Sequence, residues 1–213
     1  MQILPLQHLP FSFFWVGMMV ITCGWVIQTD TAAKKQFVIE ENSRLYLKGT
    51  SNVNKFTCDC EDRYAAQTFE VEGAGAQVRF KNTSLEIATK KFNCHNGKMD
   101  HDMQKALKAK TYPHIRIELL EAKQDAQQLK AGSRGWFEVQ AKAKLTICGV
   151  TRVQQVTAKA QLLSEGRFRL CGYQSILMTD FGIEPPQALF GMIQVNNQID
   201  FHFDLFVSIS EVQ

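Results

Sequence analysis

The sequence predicts an all-β protein, an antiparallel barrel of about eight strands with one short α-helix, and three observations carry that expectation. From Phe137 to Ile147 the residues alternate without a break. Phe137, Val139, Ala141, Ala143, Leu145 and Ile147 are apolar, whereas Glu138, Gln140, Lys142, Lys144 and Thr146 are polar, the period of a strand wet on one face. Ile199 to Ile209 repeats the pattern: Ile199, Phe201, Phe203, Leu205, Val207 and Ile209 share one face, and only Phe206 interrupts the polar one. Finally, one helical period stands among many strand-like ones, with no βαβ unit, which favours a closed antiparallel sheet over a doubly wound one. At about 3.3 Å per residue the 137–147 strand spans about 36 Å, long enough to suit a coiled sheet or barrel. A β-sandwich is the alternative.

The elements follow in chain order. Residues 1–33 differ from the rest: Phe11 to Gln28 carries no charge and has the length of a signal-peptide core, slightly short for a spanning helix. The expectation is an export signal. No Lys or Arg precedes it, so an uncleaved anchor is the alternative, as is lipidation at Cys23. Residues 34–213 then form the barrel domain. Arg44 to Lys48, Phe56 to Cys60, Phe69 to Glu72, Val78 to Lys81 and Ser84 to Ala88 read as short strands, separated by turn residues at Gly73, Gly75 and Asn82. Met99 to Ala109 changes to helical spacing, with Asp100 and Asp102 in its first turn and Lys105 and Lys108 in its last. Strands resume at Ile115 to Leu119. A loop rich in Gln and Gly leads to the long strand, which turns near Gly149 into Thr151 to Leu163. Glu165-Gly166 turns again into Arg167 to Thr179. The spacing then predicts a hairpin joining Met192–Val195 to Ile199–Ile209 through Asn196-Asn197, residues that suit a type I′ turn.

Composition narrows the function. The 213 residues carry 24 basic and 21 acidic side chains, a net charge of +3, with no run of five like charges, so nucleic acid is not an expected partner. Lys90, Lys91, Lys98, Lys105, Lys108 and Lys110 make the helix region basic; this could favour an anionic headgroup or a membrane surface, although a solvated face explains it more plainly. Asp100 and Asp102 are accounted for by the helix dipole. There is no Gly-x-Ser-x-Gly elbow, and Cys94 and His95, neighbours on a strand, point to opposite faces. No enzyme is expected, and no cofactor. His95, His101, His114 and His202 read as solvent-facing.

Five cysteines follow the N-terminal segment: Cys58, Cys60, Cys94, Cys148 and Cys171. Zinc held by Cys58, Cys60, Cys94 and His95 lacks the usual Cys-x-x-Cys spacing, and a Cys58–Cys60 redox pair would be strained. A structural disulfide from Cys58 or Cys60 to Cys94 is the favoured use. If the two hairpins pair as read, Cys171 lies opposite about Lys159, far from Cys148, so those two are not expected to join.

Four segments carry a family resemblance: Gly49 to Cys58 (Gly-Thr-Ser-Asn-Val-Asn-Lys-Phe-Thr-Cys), the helix with Tyr112 to Ile115 (Tyr-Pro-His-Ile), Leu145 to Thr151 (Leu-Thr-Ile-Cys-Gly-Val-Thr) and Thr179 to Ile183 (Thr-Asp-Phe-Gly-Ile). In this order, over about residues 40 to 209, they resemble the YceI-like family of exported lipid- and polyisoprenoid-binding proteins. The resemblance implies a lipocalin-like barrel, an apolar lumen that holds a long isoprenoid chain in some members, no established enzymatic activity and an envelope or periplasmic location. Cys58 and Cys94 resemble a cysteine-bearing branch of the family, which implies a bridge between them. Asn52 and Asn54 stand where many members carry His, and Met-Asp-His-Asp-Met replaces an Arg-Asp pair, so headgroup contacts do not transfer.

The expected function is therefore the sequestration or transport of an apolar chain, lipid or polyisoprenoid, inside the barrel. Phe137, Val139, Ala141, Ala143, Leu145, Phe201, Phe203 and Leu205 are the candidate lumen residues, with Ala141 and Ala143 as the source of open volume. The alternatives are a packed barrel that acts through its surface and a thiol or metal protein built on Cys58, Cys60 and Cys94. The oligomeric state is not legible.

Overall fold

A computed structural model describes residues 32–73, 75–124 and 135–212; the expected signal or anchor segment, with Cys23, lies outside them. Thirteen strands follow one another as β1 (Ala33–Ile39), β2 (Arg44–Ser51), β3 (Lys55–Cys60), β4 (Gln67–Glu72), β5 (Gln77–Lys81), β6 (Ser84–Ala88), β7 (Phe92–Asn93), β8 (His114–Gln124), β9 (Trp136–Ile147), β10 (Val150–Ser164), β11 (Arg167–Leu177), β12 (Gln187–Ala188) and β13 (Ile193–Glu211). A helix, α1 (Gly97–Ala106), separates β7 from β8, and two 3₁₀ turns occupy Thr89–Lys91 and Met178–Phe181.

The strand pairings close a ring. Neighbours run β1-β4-β5-β8-β9-β10-β11-β13, and β13 pairs back onto β1, so eight antiparallel strands form the barrel. Closure is confined to one half of its height. β13 is 19 residues long; its C-terminal part, from Val207 to Glu211, pairs with β1, whereas Val195 to Asp204 pair with β2, which leads to β3 and β7. On the opposite side β8 makes the matching change, pairing with β5 through Glu121–Lys123 and with β6 through His114–Glu118. A bulge between Leu119 and Glu121 marks the switch, the usual device for redirecting a strand. In this upper half β6 and β7 are not paired. Residues 89–91 join them, and Thr89, 2% exposed, secures the join through its amide and hydroxyl to the Pro113 carbonyl at 2.9 and 3.0 Å.

Local chemistry accounts for the elements. β9 and β10 meet in a two-residue turn at Cys148 (φ 51°) and Gly149 (φ 79°), the paired positive dihedrals of a type I′ turn. Gly149 is required twice over, because a Cβ there would lie 2.7 Å from the Tyr112 ring. The register puts Lys159 opposite Cys171, as the hairpin arithmetic expected. α1 begins at Gly97, two residues before the expected start, because the Asn96 side chain accepts from the amides of Lys98 and Met99 at 3.1 Å. It ends at Ala106, short of the expected Ala109, as Lys108 turns to φ 49°.

Several expectations need correction. Asn196-Asn197 does not make a hairpin: β13 continues through both residues, bulging against β2 between Val195 and Ile199. Their amides are used sideways instead. Asn196 donates to the Thr50 hydroxyl at 2.7 Å, and Asn197 donates to the Thr179 hydroxyl at 2.8 Å while accepting from the Thr179 amide at 3.0 Å. A side chain that satisfies neighbouring backbone competes with turn formation, and here the sheet takes it. β8 also continues past Leu119 to Gln124, its bulge hiding the continuity of the pattern. β1, where Lys34 to Gln36 obscure any alternation, was not foreseen as a strand. His202 is half-buried rather than solvent-facing, stacked between Tyr46 and Tyr173 with ring centroids 4.9 and 5.4 Å away.

Candidate functional site

The upper half of the barrel contains a cavity of about 360 Å³. Its deep wall comes from residues spread across the ring: Leu47 on β2, Ile115 on β8, Ile147 on β9, Ile176 on β11, and Ile199 and Phe201 on β13. Each follows the inward period of its strand, and none is more than 9% exposed. The side wall is Ile183, from the Thr-Asp-Phe-Gly-Ile segment, and Met178, which precedes it. That segment is locked by fully buried Phe181, by the Asn197–Thr179 bonds and by Arg152, whose Nε donates to the Asp180 carbonyl at 3.1 Å.

Helix α1 roofs the cavity. Met99, Met103, Ala106 and Leu107 face it, the apolar stripe that the helical spacing displayed. Two sulfur contacts hold the roof, one at each end. Before the N-cap, Cys94 is bridged to Cys58 of β3, so the pairing implied by the family resemblance is present, and both cysteines line the cavity. At the C-terminal end the Cys148 thiol donates to the Leu107 carbonyl at 3.1 Å. Asp100 accepts from the Cys94 amide at 2.7 Å, fastening the first turn. Burial pushes the Cys148 thiol pKa up, which keeps this group protonated and able to donate.

The rim is mixed. Ser51, Asn54, Asn96, Lys98, Asp102 and Gln187 bring polar atoms to it, and Val53 and Leu189 bring apolar ones. The Gly49–Asn54 segment is tied to the 186–194 segment by three bonds: Asn52 Nδ2 to the Met192 carbonyl (2.8 Å), the Gln194 amide to Asn52 Oδ1 (3.0 Å), and the Asn52 amide to the Gln194 carbonyl (3.1 Å). A deep apolar interior with a few convergent polar groups at its mouth is the form of a small-molecule site, and the volume is at the lower end of the usual range of about 300–1,000 Å³.

A second cavity, of about 300 Å³, lies at the fork where β13 changes partner from β2 to β1. It is lined by Leu45 and Leu205 but also by Glu40, Glu41, Asp62 and Arg63. Glu40 accepts from Arg167 at 2.7 and 2.6 Å and from the Ser208 hydroxyl at 2.7 Å, and these bonds hold its carboxyl well down, to about 2. Beside it Cys60 lies 3.5 Å from the Tyr64 hydroxyl; burial raises both groups' pKa values, so neither is an activated nucleophile at neutral pH.

The eight sequence candidates divide between these regions. Phe201 lines the upper cavity and Leu205 the lower one. Leu145 is 7% exposed and belongs to the apolar cluster behind the upper cavity; Ala143 is equally buried, one inward position further down the strand. Phe137, Val139 and Ala141 are half-buried in the lower half and line neither cavity. Phe203 packs against Gly172, where a Cβ would come within 2.8 Å of its ring. Small residues on these strands therefore admit an aromatic ring from β13. Most residues around the upper cavity, including the α1 stripe, Met178, Ile183 and Ile193, escaped the sequence reading. The available signal was the helix itself: in a chain of strands, four apolar residues on one helical face must cover something. Among the described residues no group of three or more His, Cys, Asp and Glu side chains could hold a metal ion.

The comparisons with known proteins agree with this geometry. Residues 30–207 match the model of the YceI-like domain. Among solved structures, a polyisoprenoid-binding domain from Saccharophagus degradans, implicated in plant cell wall breakdown, superposes with a TM-score of 0.59 at 16% identity, over 84% of this chain and 100% of that one. BcnA of Burkholderia cenocepacia superposes with a TM-score of 0.54, also at 16% identity, over 77% of this chain and 95% of that one. No curated protein matches the sequence significantly.

Proposed function

The chain belongs to the YceI-like domain family, and on that premise we propose that it binds an apolar chain, a lipid or polyisoprenoid, beneath α1, and sequesters or carries it in the cell envelope after export. The observation that carries the reading is the apolar cavity of about 360 Å³ whose wall is the barrel core itself. The name of the Saccharophagus relative, a polyisoprenoid-binding domain, supports the ligand class, and the Cys58–Cys94 bridge supports an oxidising compartment.

Binding here is burial. Removing apolar surface from water is worth about 25 cal/mol per Å², less the cost of ordering the chain, so affinity needs few polar contacts and tolerates variation in the guest. A cavity of this size seats one segment of a long isoprenoid. Phe201 lines this seat and Leu145 packs behind it; Phe137, Val139, Ala141, Ala143, Phe203 and Leu205 would meet the guest only if it extends into the lower half.

The test is native mass spectrometry of the protein purified from its own host, followed by organic extraction. A stoichiometric lipid or prenol that comes off on extraction supports the carrier reading. A reproducibly empty protein that also takes up no added polyprenol overturns it in favour of a barrel acting through its surface.

A further inference from the structure

The mouth of the cavity carries an apolar projection that the binding reading leaves unused. Leu189 is 50% exposed, Met192 67%, Val53 62%, and Phe190 is fully exposed. The backbone is bent to display them. Leu189 and Phe190 have φ of 49° and 56°, followed by Gly191 at 86°. Bulky side chains rarely adopt that region, and such strain persists where the surrounding structure imposes it, often at functional sites. The imposing structure is the set of three bonds from Asn52 to Met192 and Gln194. Val53 is thereby set in the same rim as Leu189, and both line the cavity opening.

The third side of the mouth is α1, whose Lys98 and Lys105 are balanced by Asp100 and Asp102, and the residues that flank it in the chain, Lys90, Lys91, Lys108 and Lys110, make the surrounding segment basic. Residues 90–110 contain six lysines against two aspartates. All six lysines are exposed, and none takes part in an ion pair among the described residues. Lys98 lines the mouth, and Lys105, seven residues on, lies on the same helical face. Asp102 at the rim and Asp100 in the first turn of α1 are the opposing acids of this segment, outnumbered by its six lysines.

We propose that this rim, Phe190, Met192 and Leu189 with Val53 as an apolar wedge and the lysines of residues 90–110 as its charged flank, docks the protein on an anionic phospholipid bilayer, mouth first. The inference rests on the carrier reading for its purpose. An apolar guest cannot cross water without exposing its surface, and a mouth seated in the interface joins the cavity to the phase that holds such guests. Exposed aromatic and aliphatic side chains beside Lys are the composition of interfacial membrane anchors, the charges contributing near an anionic surface and losing force with salt. A second copy of the chain is a poorer occupant, because a two-fold contact would set two net-positive 90–110 segments against each other.

The experiment compares the full chain with Phe190→Trp and with the double variant Phe190→Ser/Met192→Ser, at residues that are exposed and do not line the cavity. With vesicles of equimolar phosphatidylethanolamine and phosphatidylglycerol, the emission added by Phe190→Trp shifts to the blue and is quenched by brominated lipid. The double variant partitions to these vesicles about tenfold more weakly, and the parent's binding falls with added salt and on phosphatidylcholine alone. Uptake of a fluorescent short-chain prenol from aqueous solution is unchanged in the double variant. A tryptophan at 190 that neither shifts nor quenches, or a double variant that partitions like the parent, overturns the docking proposal. So does dimerisation that depends on Phe190 without vesicle binding. Loss of prenol uptake in the parent, with vesicle docking intact, overturns the carrier reading and leaves the docking surface standing.

Discussion

The two halves of the barrel are built from the same strands and finished differently. In the lower half, β1, β4 and β5 complete the hydrogen-bonded ring, and charged contacts reinforce it: Glu40 with Arg167, Asp204 with Arg169, and Lys35 with Glu211. Arg169 is also held over the rings of Trp136 and Phe206, at 5.6 and 5.1 Å. In the upper half, the ladder is broken between β6 and β7. A 3₁₀ turn joins the two strands, a helix lies over the opening, and the Cys58–Cys94 disulfide ties the residues after β7 to β3. The lower cavity, at the fork of β13, is lined by charged groups, whereas the helix laid across the gap covers apolar space that it does not fill. The apolar cavity lies where the sheet does not close.

That contrast is open to attack, first at the bridge. Replacing Cys58 and Cys94 by Ser removes a cross-link spanning 36 residues, expected to cost about 4 kcal/mol from loop-closure entropy. Hydrogen exchange should accelerate in α1 and β3 while β11 and the C-terminal part of β13 stay protected. Equal acceleration at both ends would break the distinction.

The next effect is on binding. Ile147→Trp puts a large side chain into the upper cavity from a rigid strand, at about 1–3 kcal/mol of overpacking, and prenol uptake should fall at least tenfold in a titration. Ala141→Phe, in the lower half, sharpens the comparison. A guest confined beneath α1 leaves its uptake unchanged, whereas a guest running the length of the barrel is blocked by it.

Asn96→Ala removes the side chain that caps α1, a loss of about 1 kcal/mol. It should show as faster exchange of the first-turn amides and faster release of a bound prenol, with β11 unaffected.

The smallest effect belongs to the lower half and to acid. Glu40 has a folded-state pKa of about 2, below the ordinary 4.5, because Arg167 and Ser208 bond its charged form. Its contribution is present above the ordinary value and is lost as pH falls through the folded one. The Asp204 carboxyl is lowered in the same direction by Arg169. Denaturant midpoints should therefore decline between about pH 4.5 and 2, and Glu40→Gln should flatten that decline.

What the sequence disclosed follows the same division. Long alternations in β9 and β13 are properties of single segments, so their strands, and the Lys159–Cys171 register that follows from turn positions, were legible. The cavity was not. Its deep wall takes one or two residues from each of five strands, and which of them face open space depends on β13 changing partner and on β8 bulging at Leu119–Glu121. No local period records either event. Ala143, the natural candidate for empty volume, sits below the cavity, while small residues elsewhere on the inner face, such as Gly172, make room for Phe203. Asn196 and Asn197 were misread for a related reason: their turn-forming chemistry is spent on Thr50 and Thr179 across the sheet.

The central claim is that an apolar guest lies beneath α1. The most direct measurement is photo-crosslinking with a diazirine-bearing prenol, followed by peptide mapping of the adducts. The account predicts adducts on Met99, Met103, Ile199 and Phe201, competed away by unlabelled prenol. Adducts confined to the lower cavity around Leu45, Tyr64 and Leu205, or scattered over the outer face without competition, would contradict it.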